Sequence, residues 1–161
     1  MVYVYFYKWY QSVDHFRKWI SCSIWVRLMT FRNNWLMDDS IELFTSVISR
    51  LNLRTLRMCN NQFGWKDIMI SRVQERNISC LSFIATSHIE ELYLDNNRIG
   101  NAGLQHLLTL LMNNHCLKRL SIRNNDIGDT GALLLVDFLS IIRVIILCRT
   151  QFQYRNNRYA K

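Results

Sequence analysis

The residues of this chain that could do chemistry are its histidines, cysteines, asparagines and arginines, and their spacings differ in what they permit. His15, His88, His106 and His115 are isolated, with no H-E-x-x-H run and no triad-like setting. Cys22, Cys59, Cys80, Cys116 and Cys148 are odd in number and lie 21 to 37 residues apart, without a C-x-x-C pair. Zinc needs ligands that converge, and nothing in these spacings brings them together. The cysteines are read instead as small apolar side chains in a reducing compartment. No G-x-x-x-x-G-K loop offers a phosphate cradle, and Asp38-Asp39 is a helix start rather than a cation site. The expectation is a protein that is not an enzyme, with no catalytic residue, no cofactor and no metal.

Asparagine is patterned. Five pairs, Asn33-Asn34, Asn60-Asn61, Asn96-Asn97, Asn124-Asn125 and Asn156-Asn157, sit at one point of the template L-x-x-L-x-L-x-x-N-x-L. The apolar slots read Val26, Met29, Phe31, Leu36; Leu53, Leu56, Met58, Phe63; Ile89, Leu92, Leu94, Ile99; Leu117, Leu120, Ile122, Ile127. A fifth unit, Phe152, Tyr154 and Tyr159, is weaker because Arg149 fills its first slot. With 50% of the chain apolar, chance would fill about ten of twenty slots, and nineteen are filled. A sixth pair, Asn113-Asn114, fails the template. The pattern is the signature of a leucine-rich repeat solenoid. Each repeat leaves a short strand by a turn whose amides point inward, where an unpaired one costs about 1–3 kcal/mol. A carboxamide, with donors and an acceptor, can bridge such turns. The column Asn34, Asn61, Asn97, Asn125 and Asn157 is therefore a structural ladder.

The elements that must hold this column follow from its spacing. The anchors are 27, 36, 28 and 32 residues apart, longer than strand and turn, so each repeat needs a helix to return the chain. After Asn34, Asp39 and Glu42 cap a helix carrying Ile41, Phe44, Val47 and Ile48; after Asn97 the buried stripe is Leu104, Leu107, Leu108 and Leu111. After Asn125 it is Ala132, Leu135, Val136 and Leu139, 28 residues on, in a helix running towards Arg143. The 36-residue interval holds either a degenerate strand around Ile78–Phe83 or a longer loop, and the loop is expected. Tyr3–Tyr7 and the stripe Val13, Phe16, Trp19, Ile20 read as one more strand and helix. Residues 1–161 form one domain, clearest at 89–139 and without visible caps, either a fragment of a longer array or a chain that self-associates through its uncapped ends. The run Ile141–Leu147 is too short to cross a bilayer, and the opening segment lacks the pattern of a signal peptide. No membrane partner is expected, and a cytoplasmic location is.

Ile89–Leu139 resembles the ribonuclease-inhibitor-like class of leucine-rich repeats, including those of NOD-like receptors. The marks are the 28-residue period and the N-x-I-G-x-x-G turn at Asn97, Ile99, Gly100, Gly103 and again at Asn125, Ile127, Gly128, Gly131. The resemblance implies an α/β fold, a right-handed horseshoe with a parallel sheet on the concave face and helices on the convex face. Its function transfers less well, because the architecture serves inhibitors, sensors and enzyme activators alike.

Side chains between the apolar slots face the concave side. They are Leu28, Thr30, Arg32; Thr55, Arg57, Cys59; Glu91, Tyr93, Asp95; Arg119, Ser121, Arg123; and Gln151, Gln153, Arg155. Five arginines against two acids make a basic face on a chain of formal charge +8. Matched register would set Glu91 beside Arg119 and Asp95 beside Arg123, pairs worth roughly 0.2–1 kcal/mol each. Arg32, Arg57 and Arg155 are then left over, with the Tyr93 ring available to Arg57 if their strands are neighbours. Five strands span only about 360 Å², less than half the ~800 Å² of a standard interface side. The expected function is a protein-interaction module of a NOD-like-receptor-type sensor or regulator, whose protein partner is acidic. The alternatives are an enzyme regulator resembling Ran GTPase-activating protein or ribonuclease inhibitor and, third, a nucleic-acid binder, which is the less expected partner.

Overall fold

The computed structural model describes residues 2–6, 26–32, 48, 51–61, 83–141 and 145–147. Six strands form one sheet in sequence order, every pair parallel: β1 (Val2–Phe6), β2 (Val26–Phe31), β3 (Thr55–Arg57), β4 (Glu91–Tyr93), β5 (Arg119–Ser121) and β6 (Ile145–Leu147). Parallel neighbours require a crossover, and α1 (Phe83–Thr86), α2 (Gly100–Leu111) and α3 (Asp129–Ile141) lie in three of the connections. The result is an α/β fold in which α1 packs on α2 and α2 on α3.

All fourteen template slots that fall in the described residues are buried, from Val26 to Ile127, and they merge with Leu104, Leu107, Leu108, Leu111, Leu135 and Phe138 into one core. Leu56, Leu92 and Leu120 stand in register across β3, β4 and β5, so the central residue of each strand makes a continuous apolar row. Arg57, Tyr93 and Arg119, one position to either side of that row, retain solvent contact on the open face.

Asn61, Asn97 and Asn125 bridge the turns of successive repeats. Their amide groups donate to main-chain oxygens. Asn61 Nδ2 donates to Phe31 O and Met58 O, each at 3.1 Å; Asn97 Nδ2 donates to Met58 O at 3.0 Å and Leu94 O at 2.6 Å; Asn125 Nδ2 donates to Leu94 O at 2.9 Å. Each asparagine thus grips the preceding repeat, and Met58 O and Leu94 O are shared by successive asparagines. The turn amides pair elsewhere: Met58 N donates to Tyr93 O, Asn60 N to Asp95 O, Leu94 N to Ser121 O and Asn96 N to Arg123 O. The first asparagine of each pair has a separate task. Asn60, Asn96 and Asn124 have φ of 56°, 56° and 53°, the left-handed region that asparagine tolerates better than other side chains. Asn34 and Asn157 lie outside the described residues.

One expectation of strand order holds, and two others need amendment. β3 pairs directly with β4, Thr55 opposite Glu91, so the 36-residue interval adds no strand to the sheet, as the longer-loop reading holds. The strand beside β5 is Ile145–Leu147, Ile146 opposite Leu120, and not the unit around Phe152 and Tyr154. A β-branched apolar run suits a sheet better than Gln151-Phe152-Gln153-Tyr154. On α3 only Leu135 of the expected stripe is buried, joined by Gly131 and Phe138, whereas Val136 is 64% and Leu139 45% exposed. The helix of the Asn34 unit is outside the described residues except Ile48, which is helical and buried.

Asn114, which the template rejects, is buried and carries its own junction. Its Nδ2 donates to Ile84 O at 2.6 Å, while its Oδ1 accepts from Cys116 N and Leu117 N, each at 2.8 Å. The carboxamide links the end of α1 to the approach to β5.

Candidate functional site

The register of β3 and β4 puts Arg57 directly opposite Tyr93. The Arg57 guanidinium lies over the Tyr93 ring, 4.7 Å from its centroid. The contact is a cation–π pair, and it orients the guanidinium plane. Tyr93 is itself held from the other side: its hydroxyl donates to Glu91 Oε2 at 3.1 Å and accepts from Arg119 Nη1 at 3.5 Å. Arg119 also approaches Glu91 Oε1 at 4.0 Å, the neighbour that the sequence assigns it. Three strands therefore supply one chain of contacts, Arg57 on Tyr93 on Glu91 and Arg119. Among the described residues no hydrogen-bond acceptor takes the Arg57 donors.

Asp95 is engaged differently from expectation. Its Oδ1 accepts from Ser121 Oγ at 2.6 Å and from the main-chain amide of Arg123 at 2.8 Å. Two short donors from the adjoining repeat hold the carboxylate in place of the Arg123 guanidinium. At the start of the strands, Glu90 receives Arg54 on one side and Lys118 Nζ, at 2.6 Å, on the other. The Lys118 hydrogen bond, with Arg54 adding to it, holds the Glu90 carboxyl below the usual carboxylate range. This acid–base link lies at the solvent surface and ties three repeats together, a contact that alternation within the strands does not predict.

Between the large side chains lies a cavity of about 270 Å³, lined among the described residues by Thr30, Arg32, Arg57, Cys59, Tyr93 and Asp95. Thr30, Cys59 and Ser121 belong to the face expected to meet solvent, yet all three are buried. They are small, and Thr30 and Cys59 line the cavity beside Arg32, Arg57 and Tyr93. The Cys59 Sγ lies 3.7 Å from Tyr93 O and 4.0 Å from Asp95 Oδ2. Burial pushes its thiol up, which works against the thiolate that a cysteine nucleophile requires. The Thr30 hydroxyl is enclosed without a hydrogen-bond partner. Arg155 lies outside the described residues, and the strand next to β5 sets Ile145 beside Arg119.

Residues 86–108 and 113–136 match the family model described as Leucine Rich repeat. The chain carries leucine-rich repeats. Two relatives resemble this chain. Over 117 residues, 71% of its length, the chain is 28% identical to the nematode Caenorhabditis briggsae's protein phosphatase 1 regulatory subunit 37 homolog. Over 74 residues, 44% of its length, it is 34% identical to the bovine (Bos taurus) NACHT, LRR and PYD domains-containing protein 3. The matches span 12% and 7% of those proteins' lengths. The leucine-rich repeats of this chain thus correspond to a small part of much longer relatives. No helix of the described residues is long and apolar enough to cross a membrane.

Proposed function

We propose that this leucine-rich repeat chain is a non-catalytic scaffold that binds a protein partner on the open face of its sheet, the concave face of a right-handed horseshoe. The observation that carries the reading is the Arg57–Tyr93 stack, a preoriented cation over an aromatic ring at the centre of that face. Arginine and tyrosine are among the residues that dominate binding energy at protein interfaces. A side chain already fixed by Glu91 and Arg119 loses little freedom on docking. The excess of arginine selects an acidic partner surface, and likeness to a NACHT, LRR and PYD protein supports a role in a sensor or regulator of that type. Capture of partner proteins by the intact chain tests this: Arg57→Glu with Tyr93→Ala abolishes capture while the unfolding midpoint is kept. Full capture by that double variant would remove the site.

A second reading has one observation behind it. The relative that matches across 71% of this chain is named a phosphatase regulatory subunit homolog, which favours a partner that is itself an enzyme. Direct titration against the catalytic subunit of protein phosphatase 1 separates the readings. Saturable binding supports an enzyme regulator, and its absence leaves the general scaffold.

A further inference from the structure

Across the core from the open face of the sheet, α3 carries an apolar ridge that α2, one repeat earlier, lacks. Leu133, Val136 and Leu139 follow one another at helical spacing and are 67%, 64% and 45% exposed. The matching residues of α2, 28 positions back, are Gln105, Leu108 and Leu111. With α3 packed on α2, Leu108 and Leu111 are buried, whereas Gln105 stays exposed. A neighbouring helix of the same kind therefore accounts for Val136 and Leu139 and leaves Leu133 in water. The charged side chains of α3 are Asp129 and Asp137, both exposed, four residues to either side of Leu133, where α2 has the neutral Asn101 and Thr109. Neither carboxylate forms an ion pair among the described residues. One exposed leucine is ordinary, but a contiguous apolar ridge with a charged border is the make-up of an interaction site.

We infer that this ridge is a second interaction surface, which receives one amphipathic helix of a partner protein whose apolar stripe is bordered by lysine or arginine. Shape favours a helix: one repeat back, the helix bearing Leu108 and Leu111 takes α3 against it, and Leu133 lengthens the corresponding ridge of α3 by nearly one turn. Charge selects the border. On a chain of formal charge +8, Asp129 and Asp137 make a local acidic margin that attracts basic flanks and turns acidic ones away. A second copy docked through the same ridge would set these acids against their own counterparts. A further helix of this chain, stacked as α3 is on α2, would cover Val136 and Leu139 and leave Leu133 and its acids unmatched. The ridge shares no residue with the Arg57–Tyr93 site, so it stands independently of the reading of the open face.

The test is a titration of the full chain, followed by methyl NMR, with a synthetic amphipathic helix of leucine, alanine and lysine and with the same sequence carrying glutamate for every lysine. The lysine helix shifts the Leu133, Val136 and Leu139 methyl resonances saturably, and the glutamate helix does not. Leu133→Gln, which places the α2 residue on α3, weakens the lysine helix about tenfold or more and keeps the unfolding midpoint; Asp137→Lys weakens it as well. Arg57→Glu with Tyr93→Ala leaves it unchanged. Equal methyl shifts from the two helices, or wild-type affinity in Leu133→Gln, would overturn the proposal. So would sedimentation showing a wild-type dimer that Leu133→Gln makes monomeric, which gives the ridge to a second copy, or nuclear Overhauser contacts from another segment of the free chain to the Leu133 methyls, which give it to the chain itself.

Discussion

Asn97 Nδ2 gives its hydrogens to Met58 O and Leu94 O, oxygens of two successive repeats, and this shared grip is what the asparagine column does. Asn97→Ala takes one of two asparagine donors from each of those oxygens, which Asn61 and Asn125 still serve, and costs about 1–3 kcal/mol in urea unfolding. The left-handed residue before each anchor gives a second, independent prediction. Asn60→Gly is near neutral, whereas Asn60→Val, β-branched at a φ of 56°, loses about 1–2 kcal/mol in the same measurement. Equal stabilities for the two Asn60 variants would contradict the backbone assignment. The sequence made the second asparagine of each pair legible because it recurs with the apolar slots. It hid the role of the first, since a φ angle leaves no periodic trace, and it hid Asn114, whose junction between α1 and β5 lies off the template. Thr30 escaped for another reason: alternation assigns a face, and only neighbouring side chains decide whether that face is wet.

At the scale of elements, α3 shows where copying one repeat onto the next fails. Leu104, Leu108 and Leu111 are buried on α2, which packs against α1 and α3. Their equivalents Ala132, Val136 and Leu139 have no further described helix against them, and the helix turns Gly131, Leu135 and Phe138 inward. Leu135→Ala costs about 2–5 kcal/mol, whereas Val136→Ser stays within about 0.5 kcal/mol, a contrast that thermal or urea unfolding reads directly. Gly131 is fixed by close approach. A Cβ there would meet Asn101 Oδ1 at 2.5 Å and Ile127 Cγ2 at 2.6 Å. Asn101 Oδ1 also accepts the Gly128 amide at 3.0 Å, so α2 caps the start of α3. Gly131→Ala disturbs that cap and destabilises by about 1–3 kcal/mol. The link from Glu90 to Arg54 and Lys118 adds a pH dependence of known sign. Because the folded carboxyl is lowered, its contribution is present above the ordinary carboxylate pKa and is lost as pH falls through the folded value. Glu90→Gln therefore flattens the acid limb of the stability–pH profile, and added salt reduces the difference.

Across the whole molecule, the sheet converts a repeating sequence into fixed register, and register creates the site. Residues 36 apart in sequence, Arg57 and Tyr93, meet because Leu56 pairs with Leu92 in the apolar row. That meeting was legible as soon as the templates were aligned, as was the pairing of Glu91 with Arg119. The sixth strand was not, because Ile145–Leu147 forms it six residues ahead of the template, by β-propensity rather than by an asparagine anchor. The account stands on the stacked pair, and proton NMR of the full chain measures it. In the wild type, ring current from Tyr93 shifts the Arg57 δ protons upfield, and Tyr93→Leu returns them to the values of a free arginine. Identical Arg57 shifts in the two proteins would contradict it.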